Sequence, residues 1–257
     1  IEYGMLSDEK FCERAMKFAL LKNTDGKFFS LEDYRKAIEP AQTDKDKNVV
    51  YLYATKPEEQ YSFIEAAKNM GYDVLLMDCE LDSHWVNLLE SKIEHTRFAR
   101  VDSDSVANLI KKEEAVKPEL SEDDKKALEE MFKAVLPEGN DYQINAENLG
   151  ETSAPVLITQ NEFMRRYREM SSMGGGMNFY GSLPESYNIL VNMQNPLIAK
   201  IWGEKKDAAD QSVADFVSAN ELLHQVVDLA LLSNGMLKGK ALADFVSRSE
   251  KLLGEQK

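Results

Sequence analysis

Apolar residues along this chain change their spacing several times, and each change predicts a different element. Phe11, Ala15 and Phe18 follow Ser7 at helical intervals, with Asp8 and Glu9 in the first turn, which predicts a helix over 7–21 capped by Ser7. Ser30 caps a short helix that Pro40 stops. Val49 to Ala54 is a continuous β-branched and aromatic run, 57–70 is helical up to Gly71, and Val74 to Met77 is a second apolar run. A helix over 82–91 and a strand over 96–101 complete the series. Strand, helix, strand, helix, strand predicts a small parallel sheet with helices packed against it, an α/β fold.

A charged stretch from Lys111 to Asp124, with Pro118 inside it, separates this part from the next. The expected division is 1–117 and 118–257. In the second part Ser121 caps a helix reaching Leu136, residues 137–140 turn the chain, and 143–149 and 155–159 read as strands. A helix over 160–172, a glycine loop at 174–176 and a strand over 187–193 follow, a succession that predicts an α+β layout rather than a second parallel sheet. Val213, Phe216, Val217, Leu223, Val226, Val227, Ala230 and Leu231 lie along one long helix, and Leu242, Phe245, Val246, Leu252 and Leu253 along a final one. So much apolar surface so near the end of the chain is covered either by the second domain or by a second copy of the protein, and spacing leaves both open.

Five of the eleven methionines fall at 164, 170, 173, 177 and 193, around Gly174, Gly175 and Gly176. Methionine repacks around many shapes and successive glycines make a flexible backbone, a combination suited to holding other polypeptides. The stripe Phe163, Met164, Tyr167, Met170 has helical spacing, however, and also reads as ordinary core.

Composition narrows the partners. With 45 acidic and 31 basic residues the net charge is −14, which repels nucleic acid and anionic lipid surfaces. No apolar run approaches the length of a membrane helix, no signal pattern opens the chain, and Cys12 and Cys79 are too few for a disulfide framework. These features predict a cytoplasmic protein with reduced thiols. The start at Ile1 without an initiator methionine reads as a cut from something longer.

Catalytic patterns are poor. His84, His95 and His224 have no metal-ligand spacing, no serine stands in a nucleophile elbow, and Asp102 with Asp104 or Asp123 with Asp124 read as solvated turns and helix starts. The turn after the first strand of the sheet, Thr55-Lys56-Pro57-Glu58, lacks the glycines that let a backbone wrap a phosphate, so neither a nucleotide nor a metal site is expected.

Several runs are similar to a known family. Ser30-Leu-Glu-Asp-Tyr34, Val49-Val-Tyr-Leu-Tyr-Ala54, Gly71-Tyr-Asp-Val-Leu-Leu-Met-Asp78 and Leu81-Asp82, with the opening 1–15, resemble the small middle subdomain of the ninety-kilodalton heat-shock chaperones. Ala154-Pro-Val-Leu-Ile-Thr159, Asn192-Met-Gln-Asn-Pro-Leu-Ile198 and Asp228-Leu-Ala-Leu-Leu-Ser-Asn-Gly235 resemble the carboxyl-terminal domain of the same family, most like its bacterial branch. The tail, Gly254-Glu-Gln-Lys257, lacks the acidic pentapeptide of cytosolic eukaryotic relatives.

The resemblance implies a dimeric, ATP-driven chaperone that holds unfolded or partly folded client proteins. Residues 1–117 would be the end of the middle domain and 118–257 the dimerisation domain. ATP and magnesium would bind in a part of the whole protein that is absent here, so no catalytic residue and no cofactor are assigned to this chain. It implies that Leu223, Val226, Val227, Leu231, Leu242, Phe245, Val246, Leu252 and Leu253 form the homodimer interface. It also implies client contact at Phe163, Met164, Tyr167, Met170, Met173 and Met177, and at Asn87 and Trp85. His84 stands where the family's exposed tryptophan would align, and one residue along a helix is about 100° of rotation, so Trp85 is either exposed or core. The competing expectation is a purely structural oligomerisation module.

Overall fold

The computed structural model describes residues 1–112, 118–160, 162, 165, 166 and 185–254. The chain forms two compact units: unit 1 is Ile1–Glu114 with Gln160–Ser182, and unit 2 is Ala115–Thr159 with Leu183–Lys257.

Unit 1 opens with α1 (Glu2–Ser7) and α2 (Glu9–Ala15) rather than one helix over 7–21. Asp8 adopts extended backbone between them and its side chain accepts the Phe11 N–H at 2.8 Å, so Asp8 is the cap, while the Ser7 hydroxyl turns back to the Tyr3 carbonyl. The chain then leaves helix altogether. Strand β1 (Leu20–Lys22) pairs antiparallel with β2 (Phe28–Ser30) across a turn in which Gly26 has φ of 78°. Ser30 caps α3 (Leu31–Ile38), as expected, by accepting the Asp33 N–H.

The sheet of unit 1 is built from β3 (Val49–Ala54), β4 (Val74–Leu76) and β5 (Thr96–Arg100), with α4 (Tyr61–Asn69), α5 (Asp82–Lys92) and α6 (Val106–Leu109) between and after them. The order is β4-β3-β5 and both pairings are parallel. All six residues of β3 are buried, the signature of a central strand covered on both faces. Val49, Tyr51 and Tyr53 point into one core with Tyr34, Leu75, Trp85, Leu89 and Phe98. Val50, Leu52 and Ala54 point into the other with Ile64, Ala67, Val101 and Leu109. A row of aromatic rings organises the first core, with Tyr34 to Tyr51 at 5.5 Å and Tyr51 to Phe98 at 4.7 Å between centroids.

Unit 2 contains α7 (Glu122–Val135), β6 (Asp141–Glu147), β7 (Val156–Gln160), β8 (Ser186–Asn192), α8 (Pro196–Asp207), α9 (Val213–Ala219), α10 (Glu221–Ser233) and α11 (Gly239–Gly254). Its sheet has the order β6-β8-β7. Contrary to the expectation of no second parallel pairing, β6 and β8 run parallel from Asp141 opposite Ser186 to Glu147 opposite Asn192. The chain from 148 to 185 is long enough to return in the same direction. The expected long helix through 213–231 is also two: Asn220 ends α9, and its side chain accepts the Leu223 N–H to cap α10. Helix α8 was not anticipated, although Asn195-Pro196 is a cap followed by proline at the first helical position. Fully buried Asn192 ties the end of β8 to the preceding loop, donating to Gly150 O at 2.8 Å and accepting from the Leu149 and Gln194 N–H groups. Among the described residues no helix is long and apolar enough to cross a membrane.

One carboxylate in unit 1 sits against its ordinary chemistry. Asp82, at the first turn of α5, is 5% exposed, and its Oδ2 accepts the Cys79 N–H at 2.8 Å. Burial, with Glu2 and Asp78 nearby, pushes its pKa up to about 6. A folded carboxyl that takes a proton near pH 6 while the unfolded one waits until the ordinary range destabilises the fold above pH 6 and ceases to do so as pH falls towards 4. Asp82→Asn should therefore raise the melting temperature by about 3 °C or more at pH 7.5. Differential scanning fluorimetry should show the gain shrinking to nothing by pH 4; a gain independent of pH would contradict this account.

Candidate functional site

Two places in the fold concentrate the residues expected to carry function. The first lies in unit 1, around the three described residues Glu162, Arg165 and Arg166, all helical. By helical spacing these arginines lie opposite the methionine stripe, where charged side chains would ordinarily meet solvent. Instead both guanidinium groups are buried, at 7% and 9% exposure. Arg166 donates from Nε to Glu162 Oε1 at 2.6 Å, from Nη1 to Glu90 Oε2 at 2.8 Å and Asn87 Oδ1 at 3.1 Å, and from Nη2 to the Phe98 carbonyl at 2.7 Å. Arg165 donates to Glu162 Oε1 at 2.8 Å and to the Tyr53 hydroxyl, whose ring lies 5.8 Å from the guanidinium carbon. The Tyr53 hydroxyl in turn donates to Glu162 Oε1 at 2.6 Å.

The electrostatics of this cluster follow from its pairing. Burial alone would raise the pKa of Glu162, but the Arg165 and Arg166 charges outweigh it and hold the carboxyl below its usual range. Burial and the Glu162 charge raise the Tyr53 phenol above its ordinary value, so it stays a neutral donor. Two carboxylates face two guanidinium groups, and this balance lets the charges remain in a dry site. Glu90 serves both sides, since its Oε1 also accepts the Phe98 N–H at 2.6 Å.

This geometry decides the placement of two residues expected to touch clients. Trp85 is 4% exposed and belongs to the core beside β3, so it presents no surface; the 100° offset from His84 turned it inward. Asn87 is half-buried and engaged by Arg166. Phe163, Met164, Tyr167, Met170, Met173 and Met177 lie outside the described residues.

The second place is the helix pair α10 and α11 in unit 2. Arg248 on α11 pairs with Asp228 on α10, Gln225 Nε2 donates to Ser249 Oγ at 2.8 Å, and Lys251 reaches Glu221 at 3.2 Å. These contacts fix one side of α10. Its opposite side, Leu223, Val226, Val227, Ala230 and Leu231, is consumed by the core of its own unit, where Phe245 of α11 joins it. Five of the nine expected interface residues, Leu223, Val226, Val227, Leu231 and Phe245, are thus unavailable to a partner, and Leu242 packs against the same core. Val246, Leu252 and Leu253 remain exposed, the last at 73%. Two exposed leucines escaped the sequence reading. Leu229 and Leu232 stand in the helical row of Gln225, beside the seam with α11, and α10 is apolar on so many sides that periodicity could not single them out.

Potential ligands for a metal come together once among the described residues, where atoms of Glu2, Cys79 and Asp82 lie within 4.8 Å of one another.

The family model described as Hsp90 protein matches residues 1–256. Chaperone protein HtpG of Porphyromonas gingivalis is 39% identical over 310 aligned residues, covering 98% of this chain and 45% of the relative. Chaperone protein HtpG of Bacteroides fragilis is also 39% identical, over 98% of this chain and 46% of its own length. That of Borreliella burgdorferi is 24% identical over 68% of the chain and 28% of the relative. The chain thus spans somewhat under half the length of the relatives it matches best among these. It shares nearly all of that span with them, and it belongs to the Hsp90 family.

Proposed function

We propose that this chain is the part of an ATP-driven chaperone that dimerises and holds unfolded or partly folded clients. Nucleotide and magnesium chemistry belong to the whole protein, and no residue of this chain is given a catalytic role. The observation that carries the proposal is the exposed apolar rim of the terminal helices, Leu229, Leu232, Val246, Leu252 and Leu253, on a pair whose other contacts are already satisfied within the unit. Burying one leucine-sized side chain contributes about 1.5 to 3 kcal/mol, so five, doubled by a two-fold axis, can offset the cost of association. Its family supports the same reading, since its relatives are named chaperones.

Client holding is assigned to the methionine-bearing segment, whose flanking residues Glu162, Arg165 and Arg166 are anchored to unit 1 by the charge cluster. In this reading Arg166 is a positioning residue and Asn87 is part of its seat rather than an independent contact. The expected partners are a second copy and polypeptides with exposed apolar side chains. A purely oligomeric module would show the first without the second.

Light scattering across a dilution series without nucleotide should give twice the 29.1 kDa chain mass. Leu229→Asp with Leu253→Asp should weaken the dimer by about 100-fold or more while leaving the circular dichroism unchanged. Leu223→Asp, which buries a charge in the core, should unfold unit 2 instead; a stable dimer in the exposed double variant would remove this interface. Met170→Ser with Met173→Ser should reduce suppression of client aggregation several-fold at unchanged mass, and no loss would favour the purely oligomeric module. Arg166→Lys, which keeps the charge but not the fork, should cost unit 1 about 2 to 3 kcal/mol in urea unfolding. A wild-type denaturation curve in that variant would mean the cluster does not hold the segment.

A further inference from the structure

The β1–β2 ribbon of unit 1 inverts the usual economy of a two-stranded surface element. Its inward pair is Leu21 opposite Phe29, with Leu21 fully buried in the core and Phe29 packed against it. Strand alternation should leave polar residues on the other face. That face instead carries Leu20 at 58% exposure and Phe28 at 63%, with Phe18 at 52% just ahead of β1. The core needs none of the three.

Charge around them is equally one-sided. Lys22 stands opposite Phe28 in the register and its Nζ lies 5.7 Å from the ring centroid, while Lys17 and Lys27 flank the ribbon, all three exposed. None of these lysines forms an ion pair with a carboxylate among the described residues. The acid of the turn, Asp25, is engaged by Lys68 at 2.6 Å, which lowers its pKa with a smaller contribution from the Lys27 charge. In a chain of net charge −14, three lysines without a close ion pair, interleaved with three exposed apolar side chains, form a local exception.

We propose that the outer face of the β1–β2 ribbon docks an acidic peptide segment bearing large aliphatic or aromatic side chains. The apolar groups would cover Phe18, Leu20 and Phe28, and the acids would meet Lys17, Lys22 and Lys27. A second copy docked through the same face would set lysine against lysine across the two-fold axis. An anionic membrane would meet only three lysines on a strongly acidic protein, fewer than surface attraction to lipid headgroups requires. Complementary charge with apolar contact fits a peptide, and none of these six residues belongs to the surfaces assigned above to dimerisation or client holding.

The test is fluorescence anisotropy of a labelled peptide of alternating glutamate and leucine, titrated with the whole chain. Binding should weaken several-fold between about 50 and 300 mM salt, as the lysine contribution is screened. Leu20→Ser with Phe28→Ser should weaken it about tenfold or more, and because both side chains are exposed the melting temperature should stay within a degree or two. Lys17→Gln with Lys22→Gln and Lys27→Gln should weaken binding and abolish most of its salt dependence. Equal binding of a peptide with serine in place of leucine, unchanged affinity in the apolar variant, or no binding at low salt would each overturn the proposal. So would retention of the chain on phosphatidylserine vesicles that Phe28→Ser abolishes, or a concentration-dependent mass increase abolished by the same change.

Discussion

A guanidinium group with almost no solvent around it must be answered on every side, and Arg166 is the point where unit 1 meets that demand. Four groups from three parts of the unit answer it: Glu162 one turn earlier, Glu90 and Asn87 on α5, and the Phe98 carbonyl on β5. Leaving any of these out would strand a buried charge, at a cost of several kcal/mol. Arg165 and Tyr53 extend the same arrangement to the central strand. The consequence is that a short stretch far along the chain is part of unit 1 as firmly as the strands are, because its charges have nowhere cheaper to go.

Unit 2 meets a different constraint, that a helix apolar on most of its circumference must divide its surface between neighbours. Helix α10 gives one side to the core and another to α11 through Glu221, Gln225 and Asp228, and leaves Leu229 and Leu232 at the seam. Folding back and facing outward are therefore not alternatives for this helix pair. Different residues of the same elements do each, and what distinguishes them is a rotation of a few tens of degrees.

Local signals were the legible ones. Ser30 and Ser121 read as caps because the cap, the acids behind it and the apolar row all lie within one turn. The run Val49–Ala54 read as a strand because burial on both faces leaves a continuous apolar word in the sequence. What escaped was set by distance or by a competing short-range bond. Asp8 rather than Ser7 caps α2, since two adjacent polar residues both qualify and only the backbone chooses. The burial of Arg165 and Arg166 depends on partners 68 to 112 positions away, which no periodicity reports. Glu162 three and four residues earlier was the available hint. Asn220 broke a helix whose apolar spacing runs through the break almost undisturbed.

The path of the chain between the units has a consequence for dissection. It passes from unit 1 to unit 2 near residue 114, returns at 160 and leaves again at 182, so three crossings join the two bodies. No single scission separates them into intact pieces. A protease acting once between 112 and 118 would leave the second product still contributing 160–182 to unit 1, and a gene cut at that point would deprive Glu90 of its cation. Inheritance follows the same rule: neither unit can be exchanged between relatives as one uninterrupted block, and recombination that respects the fold must exchange the segment from 160 to 182 along with unit 1.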